Sequence, residues 1–312
     1  AVAFTACVAI LAAGGYAVLR GDLLSTAAAL FSPGADVELA ATPQPRVASS
    51  TNAPADAPLA AMSPSVATDA GTEAPESWPA LAPAALLEQA ATAPDRALTD
   101  TGFDRPPWQR YARPFDAESG RTTIAILVTG LGGDRALTAA AIAGLPAEVS
   151  LSFDPAAPEL AAWIAAARAF GHEALLDLPM ETKTAQDPGP QGLLIALNDA
   201  EIARRIDADA ASGTRIVGFA SAGGDALLLD DRATRTALGE IARLGLGFVD
   251  ASGEPMSRSA AAAADATLAF ARMAVQLDDT ASRAAVTERL AVTAETAIQH
   301  GSALAVAHAS PA

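Results

Sequence analysis

The chain is poor in cysteine, in aromatic residues and in basic residues. Of its 312 residues one is cysteine, 4% are aromatic, and Lys and Arg number 20 against 36 Asp and Glu. The single cysteine, Cys7, excludes an intrachain disulfide and a cysteine-based zinc site. The net charge of −16 excludes the broad basic surface on which nucleic-acid binding depends.

An uncharged apolar run occupies residues 1–19. As a helix this run would be about 28 Å long, close to the thickness of the hydrocarbon core of a bilayer. We therefore predict a transmembrane anchor. A cleaved signal segment is the alternative, although the apolar region of a signal peptide usually has only about 7–15 residues.

Proline, alanine, serine and threonine dominate the next part of the chain. Thirteen of the 21 prolines lie between Pro33 and Pro114, and proline interrupts long helices and central strands. We predict a disordered linker over residues 20–118. Within it, residues 84–90 could form a helical turn or two, and Trp108 with Tyr111 could pack on the edge of the following domain.

Alternating strands and helices are predicted for residues 119–312. Buried runs rich in β-branched residues predict seven strands, at 122–129, 149–153, 174–178, 216–219, 246–249, 266–270 and 303–307. The predicted helices cover 136–145, 158–170, 198–211, 230–244 and 282–300. This alternation predicts one α/β domain with a parallel sheet. The sheet is either an open doubly wound sheet or a barrel.

Acidic residues and one histidine follow the predicted strands at their C-terminal ends, where ligands gather in parallel sheets. They are Asp154, Asp177, Glu181, Asp225, Asp250, Asp278, Asp279 and His308. Such a set suits acid–base or metal chemistry, whereas a single carboxylate is more often a helix cap or a solvated loop residue. Structural roles are predicted for the caps Asp199 and Asp230 and for His172 and His300.

A glycine-rich turn at residues 129–134 follows the first predicted strand and suggests dinucleotide binding, with Asp154 as the acid that binds the ribose. Arg135 occupies the position of the third glycine of that motif, where close helix–strand packing needs a small residue. The fingerprint is therefore only partial, and it is weak evidence for a nucleotide site.

Several segments, in order and spacing, resemble the divergent polysaccharide deacetylase family. The most specific is GHEALLDLPME at 171–181, followed by DPGP at 187–190, and the resemblance extends over 122–311. It implies an α/β fold of the distorted (β/α)7 barrel type with mainly parallel strands. It also implies a location at the inner membrane of the cell with the domain facing the periplasm, and an envelope glycan or envelope protein as partner.

The chain departs from this family at its expected metal and base positions. Relatives carry two aspartates where this chain has Thr129 and Gly130, and a histidine where it has Ala222. The resemblance implies that one aspartate is the general base and that the other binds the metal. Because a zinc hydrolase needs about three protein ligands, we predict no protein-held metal, and a requirement for zinc or another divalent cation only if the domain is active.

Three functions remain open from the sequence. The first is a catalytically degenerate deacetylase domain that binds glycan or protein, and the second is an active metal-dependent carbohydrate deacetylase. The third is a nucleotide-dependent enzyme. Catalytic roles are predicted for His308, Asp250 and Asp278, and substrate-binding roles for Asp177, Glu181 and Asp225.

Overall fold

The computed structural model of the chain describes residues 16–18, 82–93, 105–115, 122–184, 186–280 and 282–311. Strands within these ranges belong to one sheet. They are β1 (Tyr16–Val18), β2 (Thr123–Leu131), β3 (Ser150–Phe153), β4 (Ala174–Met180), β5 (Gly218–Gly223), β6 (Gly247–Asp250), β7 (Phe270–Arg272), β8 (Val275–Gln276) and β9 (Ser302–His308). Strands β2 to β9 pair in parallel in the order β7-β6-β5-β4-β3-β2-β9-β8.

The two ends of this order, β7 and β8, are consecutive in the chain and are separated by only two residues. The N–H of Met273 donates to the carbonyl of Asp250 in β6, and the N–H of Ala274 donates to Leu304 in β9, both at 2.8 Å. The chain thus bonds to both margins of the sheet as it passes between them, and the sheet curls. The predicted parallel α/β architecture is confirmed, and it fits a deacetylase-like barrel.

Helices cover the outer face of the curled sheet, except the short second helix, which lies at the N-terminal ends of the strands. They are α1 (Pro83–Thr92), α2 (Pro107–Arg110), α3 (Arg135–Gly144), α4 (Leu160–Phe170), α5 (Asp199–Ser212), α6 (Asp231–Arg243), α7 (Ser259–Asp265) and α8 (Arg283–His300). The helix α4 ends at Gly171, as predicted, because glycine adopts the positive φ of 99° without a steric penalty.

Side chains alternate between two apolar clusters along each strand. Outward residues such as Leu176, Phe219 and Phe248 pack under the helices. Inward residues of β2, β4, β6, β7 and β9, with Val217 and Ala220 at β5, form a second cluster in the interior of the curled sheet. This two-residue period determines which polar residues reach the interior at the ends of the strands.

Strand β7 differs from the prediction of a strand at 266–270. Residues 259–265 (SAAAAAD) form the helix α7, because alanine has the highest helix propensity. This helix was not predicted. Thr267 then turns the chain with a φ of 53°, and the strand starts only at Phe270. The remaining six strands lie where they were predicted, with shifted ends.

The predicted transmembrane helix at 1–19 falls mostly outside the described residues. At 16–18 the backbone is a strand, and it pairs antiparallel with residues 123–125 of β2. This margin of β2 is open to pairing because β3 joins β2 only from Leu127 onward. Within the described part of the chain, no helix has both the length and the apolar character needed to cross a membrane.

Two ranges inside the predicted linker 20–118 are ordered and packed on the domain. Helix α1 contacts α3 and α4, and its Leu86 is fully buried in the outer cluster. The prediction of a disordered linker is therefore wrong for 82–93 and 105–115. Leu86 and Ala90, four residues apart, form the buried face of this helix. The composition of the segment, which is typical of a linker, did not indicate this face.

Residues 105–115, which we term the strap, lie across the N-terminal ends of the strands. Trp108, Tyr111 and Phe115 pack against the interior cluster, which confirms the predicted contact of Trp108 and Tyr111 with the domain. The N–H of Trp108 donates to the carbonyl of Gly245 just before β6. The end of the curled sheet opposite the C-terminal ends of the strands is thus covered by the chain's own upstream segment.

Replacement of Leu86 by Ala tests whether α1 belongs to the domain. Because Leu86 is fully buried, Leu86→Ala should lower the free energy of unfolding by about 2–5 kcal/mol through lost transfer energy and a residual cavity. Denaturant unfolding of the full chain measures this change. The control Gln89→Ala, at an exposed position of the same helix, should be nearly neutral. Equal stability of the two variants would show that α1 contributes nothing to the domain.

Candidate functional site

Polar side chains replace apolar ones where the inward-facing rows of the strands reach their C-terminal ends. Thr129 continues the row of Leu127 in β2, Asp177 that of Leu175 in β4, and His308 that of Val306 in β9. We term the opening lined by these ends the mouth.

Asp177 is the most buried acid of the mouth, with 5% of its surface exposed. Its Oδ1 accepts the hydroxyl of Ser152 at 2.6 Å, and its Oδ2 accepts the N–H of Gly130 at 2.9 Å. Burial raises the pKa of Asp177 to about 6, and these two donors and the charge of His308 oppose the rise. Asp177 can therefore gain or lose a proton near neutral pH.

His308 and Asp278 form a second polar pair at the mouth. The Nδ1 atom of His308 lies 3.3 Å from Oδ2 of Asp278, and the backbone N–H of His308 donates to the same oxygen at 2.8 Å. Gln276 donates its amide to Oδ1 of Asp278 at 2.6 Å. Because the His308 side chain is 68% exposed, the ring is held at Nδ1 and accessible from solvent.

Asp250, predicted as catalytic, is directed away from the mouth. It follows the inward Val249, so the two-residue period turns it to the outer, helix-covered face, where it is fully buried. Its oxygens accept the hydroxyls of Ser252 at 2.6 Å, Ser257 at 2.8 Å and Ser259 at 2.5 Å. Asp250 thereby anchors the loop that leads into α7.

The predicted convergence of Asp250 with Asp278 and His308 is not seen in the described part of the chain. No hydrogen bond or ion pair there joins Asp250 to either residue, and its one basic neighbour is Arg272, with Nε 3.8 Å from Oδ2. Strand order predicts correctly that Asp250 lies at the C-terminal end of the sheet. It does not predict the face, and Asp250 lies on the outer face.

Two further predicted substrate-binding residues hold loops. Glu181 accepts the backbone N–H of Ile195 at 2.7 Å and so closes the base of the loop after β4. Asp225 accepts the backbone N–H of Lys183 at 3.1 Å, near the start of the same loop, and Lys183 also pairs with Glu254. These contacts connect the loops after β4, β5 and β6 and shape one side of the mouth.

The sequence analysis did not select Ser152 or Gln276. Ser152 is fully buried and lies between the outward Leu151 and Phe153 of β3. A serine in a run that otherwise reads as fully buried was the available signal, since a buried hydroxyl needs a partner. No sequence pattern indicated Gln276, because it lies in the two-residue strand β8, which was not predicted.

The glycine-rich turn after β2 does not offer a dinucleotide site. Gly132 donates its N–H to the hydroxyl of Thr138, and a Cβ there would lie 2.4 Å from the Cβ of Ala157. In the first turn of α3, the backbone N–H groups of Ala136 and Leu137 donate to the carboxylate of Asp134. A side chain of this protein thus occupies the anion position that a pyrophosphate would need.

The predicted structural residues are largely confirmed. Asp230 caps α6 through the N–H of Ala233, and His300 bonds the carbonyl of Thr296 in the last turn of α8. Asp199 is instead the first residue of α5, and Asn198 is the cap.

His172 is fully buried at the end of the sheet opposite the mouth. Its two ring nitrogens face the carbonyls of Val149 and Ile142 at 2.8 and 3.0 Å. Its predicted structural role is therefore confirmed.

Comparison with known proteins now decides the family. The family model described as divergent polysaccharide deacetylase matches residues 126–312. The chain belongs to this family. It also resembles the crystal structure of the uncharacterized protein ATU2773 from Agrobacterium tumefaciens C58, with 30% sequence identity and a TM-score of 0.64 over 68% of this chain and 87% of that chain. No curated protein matches the chain.

The divergent polysaccharide deacetylase family implies a divalent metal, and the donor set of this member does not fit one. Within the described ranges, no three His, Cys, Asp or Glu side chains come together as possible ligands. At the mouth, Thr129, Gly130 and Ala222 offer one hydroxyl and neither a carboxylate nor an imidazole. The donors that the described residues bring to the mouth therefore do not make a metal site.

The buried contacts of Asp250 predict a structural role for this member of the family. Asp250→Ala leaves three serine hydroxyls without their acceptor, and we expect it to lower the free energy of unfolding by about 2–4 kcal/mol. Thermal unfolding monitored by circular dichroism measures the change. The comparison variant His308→Ala, at an exposed side chain, should unfold near the wild-type temperature. A fully stable Asp250→Ala protein would contradict this role.

The raised pKa of Asp177 predicts a dependence of stability on pH. Since its folded-state pKa of about 6 exceeds the unfolded value, its contribution to stability is present at low pH and is lost as pH rises through about 6. We expect a loss of up to about 3 kcal/mol that is absent in Asp177→Asn. Urea unfolding of both proteins from about pH 4 to about pH 8, a range that spans the folded-state pKa of about 6, measures the difference. Parallel curves would show that Asp177 does not titrate in this way.

Proposed function

We propose that this domain binds a carbohydrate of the cell envelope at the mouth and does not carry out metal-dependent deacetylation. The observation that carries the proposal is that Asp177 and the His308–Asp278 pair line the mouth, whereas Thr129, Gly130 and Ala222 bring neither a carboxylate nor an imidazole to it. Family membership supports a carbohydrate-related role. The side chains at Thr129, Gly130 and Ala222 favour binding over catalysis.

The polar groups of the mouth suit the hydroxyls of a sugar. Asp177 and Asp278 accept hydrogen bonds, and Gln276 and His308 can both donate and accept them. The described aromatic residues that touch the interior cluster, Trp108, Tyr111 and Phe115, lie at the opposite end and offer no stacking platform at the mouth. Affinity in this proposal therefore comes from hydrogen bonds to charged groups.

An active hydrolase is the second candidate, and one observation favours it. Asp278 holds Nδ1 of the exposed His308, an arrangement that orients an imidazole for proton transfer to a bound substrate. In this candidate His308 acts as a general acid. A general base is then also required. Asp177 is the candidate, because its pKa of about 6 lets it accept a proton near neutral pH.

The proposed location is the inner membrane, with the domain in the periplasm and an envelope glycan or envelope protein as partner. The uncharged, apolar composition of residues 1–15, which precede the strand at 16–18, supports a segment that associates with the membrane.

Binding and turnover distinguish the two candidates. Purified full-length chain is titrated with soluble oligomers of N-acetylglucosamine and of glucosamine by calorimetry, and acetate release is measured with and without added zinc. We expect binding without acetate release, and a loss of affinity of at least about tenfold in Asp177→Asn and His308→Ala. The control Glu295→Gln, an exposed carboxyl on α8, should bind as wild type.

Three outcomes contradict the proposal. Acetate release that His308→Ala abolishes without loss of stability would establish the hydrolase instead. One tightly held transition metal per purified chain, measured by elemental analysis, would show that donors beyond those described complete a metal site. Failure of every oligomer to bind would remove the carbohydrate as ligand.

A further inference from the structure

The interior of the curled sheet is built from small side chains. Four of the ten buried residues of the interior cluster are alanines: Ala125, Ala220, Ala269 and Ala271. Barrels of parallel strands usually fill this space with bulky branched residues. Here the strands alone leave room that other side chains must fill, because protein interiors are close-packed.

The strap supplies the missing volume from the N-terminal ends of the strands. Trp108, Tyr111 and Phe115 are half-buried, and all three pack against the interior cluster. Three aromatic side chains in one eleven-residue segment stand out in a chain with only 4% aromatic residues. The interior is therefore completed by a segment that lies outside the seven predicted strands and their helices.

Buried charges fix the strap in this position. The backbone N–H of Arg113 donates to the buried Glu173 at 2.6 Å, and its guanidinium donates to the carbonyls of Ala147 at 2.9 Å and Gly171 at 2.5 Å. Arg168 is buried against the ring of Tyr111, with Cζ 5.3 Å from the ring centroid. These contacts reach the loops before β3 and β4.

The Gly171-His172-Glu173 motif is thereby explained by the strap and not by the mouth. Burial raises the pKa of Glu173 well above its usual range, and Arg113 and Arg168 oppose this rise. Buried ionic groups are costly and contribute more to a defined geometry than to stability. Their position at the strap indicates that its placement on the domain is specific.

The interior cluster connects the strap with the mouth. Leu127, Leu175 and Val306 belong to this cluster and precede Thr129, Asp177 and His308 by two residues on the same face of their strands. Two residues along a strand correspond to about 7 Å. Ala125 and Leu127 in β2, and Leu304 and Val306 in β9, are successive inward residues of the same cluster. Two layers of packed side chains thus connect the N-terminal ends of these strands with the polar residues of the mouth.

We propose that the strap positions the mouth: by filling the interior beneath Asp177 and His308, it holds their strand ends in the geometry that binds ligand and keeps water from Asp177. The strap residues are positioning residues, since they touch the interior cluster and not the ligand. The consequence for affinity rests on the proposed carbohydrate function, whereas the consequence for Asp177 does not.

The test uses Trp108→Ala in the full chain. We expect water to reach Asp177 through the loosened interior, so its titration midpoint should fall from about 6 toward the ordinary range by about half a unit or more. Carbon-13 NMR of the Asp177 carboxyl measures the midpoint, with Asp177→Asn to assign the signal. Affinity for the oligomer that binds the wild type should fall roughly tenfold.

Two controls separate positioning from general destabilisation. Gln109→Ala changes an exposed side chain of the same segment and should leave both measurements at wild-type values. Leu86→Ala destabilises the domain through the outer cluster and should leave the Asp177 midpoint unchanged. If Trp108→Ala does not fold, the milder Trp108→Phe and Tyr111→Leu replace it, with smaller shifts in the same direction.

The outcomes are distinct. An unchanged Asp177 midpoint in folded strap variants overturns the proposal and leaves the strap a purely stabilising segment. A midpoint that moves equally in Leu86→Ala also overturns it, because the effect then follows stability alone. A midpoint that falls only in strap variants supports positioning even if no carbohydrate binds, in which case the failure belongs to the proposed function.

Discussion

Side chains along the strands of a curled parallel sheet alternate between its inner and outer face, and the chemistry of this protein follows from that alternation. Leu127, Leu175 and Val306 set the inward rows, so the next inward positions bring Thr129, Asp177 and His308 to the mouth. Asp250 ends its strand at the same end of the sheet, but its parity is outward. A shift of one position along a strand therefore decides whether an acid faces the mouth or, like Asp250, the serine residues on the outer face.

Polar groups are concentrated at the two ends of the curled sheet and do different work at each. At the mouth, His308 is exposed while Asp177 is buried and has its own hydrogen-bond donors. At the opposite end, Glu173 and Arg168 are buried, and the strap covers them. The family motif around Gly171 thus has a structural explanation that does not involve substrate.

This member of the divergent polysaccharide deacetylase family combines a curled parallel sheet with a distinct set of side chains at the mouth. Glu181 and Asp225 hold the loops there, and Asp278 holds a histidine at the last strand. Thr129, Gly130 and Ala222 bring neither a carboxylate nor an imidazole to the same end of the sheet. A fold can retain the shape of a site while its donor set changes, because chemistry depends on individual side chains and not on the scaffold.

The sequence by itself determined the parallel α/β architecture, six of the strands, the Gly171 helix end and the structural roles of Asp230, His172 and His300. These features depend on local periodicity, caps and turn residues, which neighbouring positions encode. It did not determine α7 and the start of β7, because the run of alanines carries no periodic pattern that marks where the helix ends and the strand begins. Only the tertiary structure decided the outward side of Asp250, the partnership of Ser152 with Asp177 and the packing of Leu86 and the strap. Each of these depends on contacts between segments far apart in the chain, whose register and burial no local pattern records.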